Sequence, residues 1–482
     1  MSGQADNIRG AELIAAGRLS DAAEAFSRAC AIQPDHAAAW ANLGATLKWL
    51  GRVPEAIDAL RKALELQPDF PDAQTSLFFA LHCAGDITPQ ERFAEHMRWA
   101  AAHATMPTST PHENDRNPDR RIRLGLVSRD FRQHPVAHFL LPLLRNFDRE
   151  QLELICYSDT PGGDAMTAQI RGLASAWHEI VDRSHEVVAE LIRAQHIDVL
   201  IDLAGHTGRN RLPVFAQKPA PVQVTYLGYP NTTGMPQMDY RITDAIADAP
   251  GESDRLHTEK LIRLPTCAWC YEPPAEAPAI AMKSGPVRFA SFNNFAKVSP
   301  PAVKLWSRVL AAVPNSTLGL KSTGLDEARA QAEIRSRFAA CGIAPQRIEF
   351  LGFTKDLSQH LSAYNATDIA LDPFPYNGTT TTCEAMWMGN AVVTLPGKSH
   401  VSRVGASLLN AAGFDEWIAN SEEAYVKICQ DLALKGGLGR EQIRSKVRES
   451  ALMDGRRFAR EFESAIRACW KNWCVARDAK PG

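Results

Sequence analysis

The chain has 482 residues, 45% of them hydrophobic and 22% charged, which is the composition of a globular protein with several domains. Lysine and arginine number 53 and aspartate and glutamate 55, so the net charge of -2 gives no electrostatic reason to expect nucleic acid or an anionic membrane as the main partner. The polar N-terminus, the lack of an apolar run long enough to span a bilayer and the ten scattered cysteines lead us to expect a soluble, cytoplasmic protein.

The first stretch of the chain repeats with a period of 34 residues. The tripeptide Gln-Pro-Asp at 33–35 recurs at 67–69, and the Gly-Arg pair at 17–18 recurs at 51–52. Small residues where paired helices approach, with a proline closing each unit, are typical of the tetratricopeptide (TPR) helix-turn-helix repeat. We therefore assign α-helical TPR repeats to residues 1–105, with a partial third unit at about 71–85. The proline-rich segment 106–119, which lacks apolar periodicity, is interpreted as a linker.

After the linker, short apolar runs alternate with helical patterns in two series. The first series has runs at 122–127, 152–157 and 198–203; the second has runs at 287–291, 317–320, 348–351, 369–371 and 392–395. Alternating strands and helices predict two doubly wound parallel sheets. We therefore expect one α/β lobe at 120–285 and a second at 286–482 that includes the C-terminal helices. Ligands should bind in a cleft between the lobes, at the carboxyl ends of the strands.

A hydroxyl-rich segment follows the run at 369–371. In the stretch 372–389, DPFPYNGTTTTCEAMWMG, a glycine and four threonines lead into a helical pattern. A helix that starts there offers backbone N–H groups, a positive dipole end and hydroxyl donors, which together suit a diphosphate. From the residues alone, a polar helix cap is an equally good interpretation.

A second polar segment, SFNNFAKVSP at 291–300, begins at the end of a predicted strand. Asn294 and Lys297 are three residues apart, so a helical turn would place them on one face. An amide donor beside an ammonium suits phosphate oxygens. The alternative is an ordinary polar loop.

Several motifs, taken in order, resemble the catalytic region of the O-GlcNAc transferase/SPINDLY family of protein O-glycosyltransferases. They are DFRQHPVAH at 130–138, YLGYPNTTG at 226–234, MDYRITD at 238–244, FNNFAK at 292–297, NGTTTTCE at 377–384 and SRVGAS at 402–407. The resemblance covers roughly residues 120–470, and that family also carries N-terminal TPR repeats. Several motifs in the right order are more specific than any single one. The resemblance implies a GT-B fold of two Rossmann-like lobes and metal-independent, inverting transfer to Ser/Thr hydroxyls of proteins.

The resemblance also implies which residues bind the phosphates of the sugar donor. Asn294 and Lys297 match the family's diphosphate-binding Gln/Lys pair, and Thr380 and Thr381 match its phosphate-binding threonines at a helix start. Thr379 stands where O-GlcNAc transferase has a histidine, and Asn294 replaces a glutamine. These departures preserve the phosphate-binding chemistry.

Further roles implied by the resemblance concern the nucleoside and the acceptor. Glu384 matches an aspartate that holds the ribose, and His360 matches a histidine that stacks near the base. His134 matches a histidine on the acceptor side, and it is the first candidate for a general base. Substrate-binding residues are also expected in the motif at 226–234, namely Tyr229, Pro230 and Thr232.

The sugar donor is predicted only as a nucleoside diphosphate sugar. The wording of the motifs at 226–234 and 377–384 is closer to SPINDLY, and plant SPINDLY transfers fucose from GDP-fucose, whereas the broader family points to UDP-GlcNAc. Neither donor is clearly favoured by the sequence.

No metal or other cofactor is expected. No Asp-x-Asp pair, which many GT-A enzymes use to hold a divalent ion on the diphosphate, occurs in the chain. Lys297 and the helix start at Thr380 would then have to neutralise the leaving group.

Other polar residues have structural interpretations that compete with functional ones. His138 is expected to be structural, because the glutamate of a zinc-protease helix is missing. Cys267 and Cys270 have redox-type spacing without a second pair, so a packed pair of thiols is expected. Asp202 and His206 follow a buried strand and should face the cleft, where proton handling and an orienting hydrogen bond are equally good roles.

The sequence therefore predicts a glycosyltransferase whose TPR arm selects protein acceptors along its concave face. Two alternatives remain. One is a TPR scaffold whose α/β unit binds a nucleotide sugar without catalysis, and the other is a glycosyltransferase that acts on a small molecule or glycan, because three repeats make a short arm.

Overall fold

The computed structural model describes residues 3–104, 111–281, 283–435 and 439–476. Part of the predicted linker, from 106 to 110, and the C-terminal tail from 477 lie outside the described residues. The chain divides into two compact units. Unit 1 joins Met1–Thr88 to Pro273–Arg448, and unit 2 joins Pro89–Glu272 to Glu449–Gly482.

The described chain begins with helices whose repeat confirms the predicted TPR pattern. They are α1 Gly3–Ala15, α2 Leu19–Ile32, α3 Ala37–Trp49, α4 Val53–Leu66, α5 Pro71–Cys83 and α6 Pro89–His103. Ala22 and Ala29 of α2 and their repeats Ala56 and Ala63 of α4 are completely buried, because only small side chains let the paired helices approach closely. Helices α1–α5 belong to unit 1, whereas α6 belongs to unit 2.

Unit 2 is built around a parallel sheet. Its elements are β1 Ile122–Ser128, α7 Pro135–Asn146, β2 Leu152–Ser158, α8 Ala165–Leu173, β3 Ala176–Glu179, α9 His185–Ala194, β4 Val199–Asp202, α10 Leu212–Ala216, β5 Val222–Thr225, β6 Tyr240–Asp244 and β7 Lys260–Leu264. The described strands have the order β3-β2-β1-β4-β5-β6-β7. The topological switch point therefore lies between β1 and β4.

The strands β3, β5, β6 and β7 were not predicted from the sequence. β3 is a half-exposed edge strand, and β5 and β6 bury polar side chains, among them Gln223, Thr225 and Arg241, instead of continuous apolar runs. A search for continuous apolar runs identifies central buried strands well, but it does not detect exposed edge strands or strands that bury polar side chains.

Unit 1 contains a second parallel sheet. Its elements are β8 Arg288–Ser291, α11 Pro300–Ala312, β9 Thr317–Leu320, α12 Ala328–Ala339, β10 Ile348–Phe350, α13 Leu357–Ser362, β11 Ile369–Leu371, α14 Thr380–Trp387, β12 Ala391–Val393, α15 Val404–Ala412, α16 Glu422–Lys435 and α17 Arg440–Arg448. The strand order among the described residues is β10-β9-β8-β11-β12, with the switch point between β8 and β11. Two separate Rossmann-like sheets confirm the predicted fold class.

The last helix, α18 Gly455–Val475, packs within unit 2, although its position in the sequence suggested the second lobe. Phe458, Phe462, Ile466 and Trp470 are four residues apart and form one apolar face, which belongs to the same core cluster as Leu140 of α7. An amphipathic helix buries its apolar stripe wherever a matching surface is available, and order in the chain does not decide which sheet supplies it.

The TPR helices of unit 1 pack directly on its α/β portion. A Cβ placed on Gly324 would lie 2.2 Å from a Leu19 methyl group, so the turn before α12 closely approaches the start of α2. The Ser20 amide donates to Glu327 Oε2 at 2.8 Å, and Arg337 of α12 donates to the carbonyl oxygens of Leu50 (3.1 Å) and Gly51 (3.3 Å).

Candidate functional site

The predicted anion site lies at the start of α14, which begins at Thr380 with Thr379 as its N-cap. The Thr381 hydroxyl donates to Asn293 Oδ1 at 2.9 Å, which ties the helix start to the loop after β8. A Cβ on Gly378 would lie 2.5 Å from Thr381 Oγ1 and 2.9 Å from Asn293 Oδ1, so a larger residue there would displace one of these side chains. The first turn of a helix, at the switch point of a parallel sheet, is where phosphates bind in this class of fold.

A buried carboxylate shapes the loop that enters α14. Asp372, which is 2% exposed, follows β11; its Oδ1 accepts the Gly378 amide at 2.7 Å and its Oδ2 accepts the Thr394 hydroxyl at 2.6 Å. Burial raises the pKa of Asp372 to about 7, while these hydrogen bonds and Lys297 oppose the rise. The carboxylate fixes the position of Gly378, and with it the direction of the helix start.

Lys297 ends a short 3-10 turn, Phe295–Lys297, in the loop after β8. Its Nζ donates to the Asn377 carbonyl at 3.0 Å and lies 3.8 Å from the centroid of the Tyr376 ring. Burial lowers the pKa of Lys297 to about 8, whereas Cys83 and Asp372 act in the opposite direction. The structure thus brings the ammonium to the backbone segment that leads into α14.

Asn294 is placed differently from Lys297. Its exposed side chain accepts the Ala296 amide at 3.0 Å and so caps the turn Phe295–Lys297. The neighbouring Asn293, which is buried, faces the α14 start instead and contacts Thr381. The turn between Asn294 and Lys297 is a short 3-10 turn and not an α-helix. The two side chains therefore have different partners, the Ala296 amide for Asn294 and the Asn377 carbonyl for Lys297.

His360 of α13 and Glu384 of α14 are brought together in unit 1. His360 Nε2 lies 3.1 Å from Glu384 Oε2, and His360 Nδ1 lies 2.8 Å from Lys321 Nζ. Because an ammonium can only donate, Nδ1 accepts and Nε2 carries the proton that Glu384 accepts. The rings of Phe292 and Tyr364 lie 5.9 Å from the His360 ring and give this group an apolar wall.

A small pocket within unit 1 adjoins some of these groups, but Lys297, His360 and Glu384 do not line it. It is lined by residues at the ends of β8, β11 and β12 and at the α14 start, including Phe292, Asn293, Asp372 and Thr381. The pocket therefore opens where the polar loops meet, at the switch point of the sheet.

In unit 2, His134 forms the N-cap of α7 after β1. Its Nδ1 accepts the Val136 amide at 3.3 Å and lies 3.6 Å from Asp130 Oδ2. Burial lowers the pKa of His134, and the Asp130 carboxylate partly offsets this. The imidazole is therefore neutral near pH 7 and lies at the switch point of the first sheet.

Tyr229 and Thr232 are buried rather than open to a ligand. The Tyr229 hydroxyl lies 2.7 Å from His96 Nε2 of α6, and the Thr232 hydroxyl donates to the Glu259 carboxylate at 2.5 Å. Pro230, between them, is half-buried. The two polar side chains thus hold the loop 226–234 in shape.

The polar residues for which a structural role was also considered in the sequence contact other groups of unit 2. His138 Nδ1 lies 3.2 Å from the Glu272 carbonyl, and both oxygens of Asp202 accept backbone amides of the following turn. His206 Nε2 lies 2.7 Å from the Thr233 carbonyl, so this contact supports the loop 226–234. Cys267 and Cys270 are buried thiols.

Four residues at the site of unit 1 were missed by sequence reasoning: Asn293, Lys321, Asp372 and Tyr376. Lys321 and Asp372 directly follow the predicted strands β9 and β11, so the rule that ligands bind at strand ends could have identified both. No local signal distinguishes Asn293 from Asn294, because the difference depends on the turn geometry.

Within the described ranges, no cluster of three or more His, Cys, Asp or Glu side chains could hold a metal ion. None of the helices in the described ranges is both long and apolar enough to cross a membrane.

The fold defines a TPR protein with two Rossmann-like sheets. Residues 101–271 and 279–462 match the family model described as Glycosyl transferase family 41, and residues 13–77 match a tetratricopeptide repeat model. The chain belongs to glycosyl transferase family 41.

Two plant proteins, from Solanum lycopersicum and Arabidopsis thaliana, are each 36% identical over 416 and 420 residues and each cover 84% of this chain. Both are named "Probable UDP-N-acetylglucosamine--peptide N-acetylglucosaminyltransferase SPINDLY", and the chain spans only 44% and 45% of their lengths. A mutant O-GlcNAc transferase from Thermobaculum terrenum has a similar structure, with a TM-score of 0.91 and 36% identity, covering 98% of this chain and 91% of that one.

Proposed function

We propose that the chain is an inverting, metal-independent glycosyltransferase that moves a sugar from a nucleoside diphosphate sugar to Ser/Thr hydroxyls of proteins. The observation that carries this proposal is the Lys297 ammonium beside the threonine-rich start of α14, in a member of family 41. The names of the similar plant and bacterial proteins support a protein acceptor and UDP-GlcNAc as donor. GDP-fucose is the second donor to be tested, because of the SPINDLY-like motifs.

The proposed reaction is a direct displacement at the anomeric carbon. The acceptor oxygen forms a bond to that carbon on one face while the bond to the diphosphate oxygen breaks on the other, so the configuration inverts. Negative charge grows on the leaving diphosphate, where Lys297 and the N–H groups of α14 stabilise it more strongly in the transition state than in the bound donor.

The hydroxyl proton needs an acceptor, and His134 is the proposed base. It can accept on Nε2 when its own proton lies on Nδ1, which faces Asp130 Oδ2 at 3.6 Å. In the other neutral tautomer, Nδ1 accepts the Val136 amide and Nε2–H positions the acceptor oxygen as a donor. The Val136 amide favours this second tautomer, so His134 acts as the base only when Nδ1–H turns from the Val136 amide to Asp130.

The proposal also holds that the TPR helices bind protein acceptors and that the enzyme works in the cytoplasm without a cofactor. Lys297 and the α14 start supply the positive charge that a divalent ion would otherwise provide. Transfer should therefore continue in excess EDTA. Loss of activity that only Mn²⁺ or Mg²⁺ restores would contradict metal independence.

The deciding experiment combines binding and turnover. In a thermal-shift screen, we expect UDP-GlcNAc, UDP-glucose, GDP-fucose and GDP-mannose to raise the melting temperature by clearly different amounts. The donor with the largest shift should then transfer its sugar to Ser or Thr residues of a peptide library. Donor binding without transfer or hydrolysis would favour the non-catalytic scaffold, and transfer to free sugars alone would favour a small-molecule acceptor. Equal affinity for mono- and diphosphates of both bases would contradict the diphosphate site.

A further inference from the structure

The phosphate-side lysine is held by an aromatic contact chain that begins in the TPR helices. The Lys297 ammonium lies 3.8 Å from the centroid of the Tyr376 ring. That ring lies 5.4 Å from the ring of Phe79 and 6.1 Å, edge-on, from the ring of His82, both on α5. The contacts run without interruption from the third TPR unit to the proposed leaving-group site.

Phe79, the TPR end of this series of aromatic contacts, is itself held in place. Lys48 of α3 lies 5.3 Å from the Phe79 ring centroid, and its Nζ donates to Ser76 of α5 at 3.2 Å. The turn that carries Lys297 is also seated on the TPR helices, because its buried Phe295 ring approaches Gly51 so closely that a Cβ there would lie 2.9 Å away. Both sides of Lys297, the turn and the ring, thus depend on the TPR portion of unit 1.

A ring is well suited to this task. An ammonium has three N–H donors, and the Asn377 carbonyl takes one of them. The face of an aromatic ring attracts the cation electrostatically without accepting a conventional hydrogen bond, and it keeps water away from one side of the ammonium. The flexible lysine is therefore oriented while donors remain for phosphate oxygens.

We propose that Tyr376 is a positioning residue that holds the Lys297 ammonium at the start of α14, and that Phe79 of α5 fixes Tyr376. The inference rests on the proposed function, in that Lys297 serves the diphosphate. It adds that a TPR helix is part of the donor site, so this portion of the TPR array does more than bind acceptors.

The test compares variants of the full chain that keep or remove the ring. Affinities for UDP, GDP, UMP and GMP are measured by calorimetry for the wild type, Tyr376→Phe, Tyr376→Leu and Phe79→Leu. We expect Tyr376→Phe to keep the preference for diphosphate over monophosphate within about twofold, because the ring remains. Tyr376→Leu should reduce that preference roughly tenfold with little change in monophosphate affinity, and Phe79→Leu should reduce it by a smaller factor.

Phe26→Leu is the matched control, since Phe26 is a fully buried ring in the TPR core of α2. It should lower the melting temperature and leave the diphosphate preference unchanged. An unchanged preference in Tyr376→Leu, or an equal loss in Phe26→Leu, would overturn the positioning role. A wild type that binds neither diphosphate better than its monophosphate would instead overturn the proposed function.

A second readout does not require a nucleotide. Acetylation of Lys297 by a small activated ester, followed by peptide mass spectrometry, is compared with that of the exposed Lys304 in the same molecule. Removing the covering ring in Tyr376→Leu should raise the relative labelling of Lys297 about threefold or more, whereas Tyr376→Phe should not. Equal relative acetylation of Lys297 in Tyr376→Leu and Tyr376→Phe would show that the ring does not determine the position of the lysine.

Discussion

Lys297 is the residue on which the proposed chemistry most depends. Its ammonium lies beside the α14 start, is oriented by Asn377 and Tyr376, and is buried deeply enough for its pKa to fall to about 8. A charge removed from water interacts more strongly with a neighbouring anion than an exposed one does. The same burial makes the charge sensitive to pH.

Lys297→Ala should lower kcat/KM for transfer by roughly a hundredfold or more, the range seen when a preorganised oxyanion-stabilising donor is lost. Steady-state kinetics with melting temperatures would measure this. Thr380→Ala should cost less, because the helix start shares its hydrogen bonds among several groups. His138→Ala should act mainly on the melting temperature, since His138 contacts Gln133 and the Glu272 carbonyl. A folded Lys297→Ala enzyme with near-normal turnover would show that the phosphate site is misplaced.

The pH dependence follows from the lowered pKa of Lys297. The charged form is the active one, so kcat/KM should fall as pH rises through about 8, where the free enzyme's lysine loses its proton. A bound diphosphate stabilises the ammonium, so the corresponding fall in kcat should occur at higher pH. Lys297→Arg keeps its charge throughout, and its profile should lose this basic limb. An identical basic limb in Lys297→Arg would assign the titration to another group.

At the scale of elements, the site consists of loops that follow parallel strands. The loop after β8 carries Asn293 and Lys297, and the loop after β11 carries Asp372 and Gly378 before α14 begins. Adjacent strands on the two sides of the switch point place these loops together. Gly378 lies at a close approach of the two loops, because a side chain there would meet both Thr381 and Asn293.

Gly378→Ala should weaken diphosphate binding about tenfold, because the added methyl displaces the α14 start or the loop after β8 at the cost typical of overpacking. Calorimetry with UDP and GDP would measure the loss. Gly172→Ala, in α8 with no atom within 4 Å of the added Cβ, is the matched control and should bind normally. Normal binding by Gly378→Ala would show that the helix start does not contact the ligand.

At the scale of the whole molecule, the chain is organised by packing more than by sequence order. The TPR helices α1–α5 form one compact unit with the second sheet, and α18 completes the core of the first. Arg337 is one of the anchors in unit 1, since it caps carbonyls at the end of α3. We therefore expect the TPR helices and the second sheet to unfold cooperatively.

Arg337→Ala should destabilise unit 1 by about 2 kcal/mol, the loss expected for hydrogen bonds from a charged donor. Chemical denaturation gives the magnitude, and hydrogen exchange should show faster opening of both α3 and β8–β9. Arg9→Ala, which removes an exposed pair with Glu12, should change stability by less than about 0.5 kcal/mol. Faster exchange confined to α3 would show that the TPR helices unfold independently.

The sequence by itself determined the TPR period, the strands with continuous apolar runs and the helix start at Thr380, because periodicity and capping are local properties of the chain. It also placed Lys297 in a polar segment that follows a strand, whereas Glu384 and His360 were identified only by the resemblance to the family. Strands such as β5 and β6 escaped prediction because they bury polar side chains.

Only the tertiary structure decided that α18 packs on the first sheet, that Asn293 rather than Asn294 contacts Thr381, and that Lys321 and Tyr376 join the site. These outcomes depend on contacts between residues that are distant in the chain, as in the 24-residue separation of His360 from Glu384. No local pattern encodes such a contact, since it forms only when the sheets and helices have already brought the side chains together.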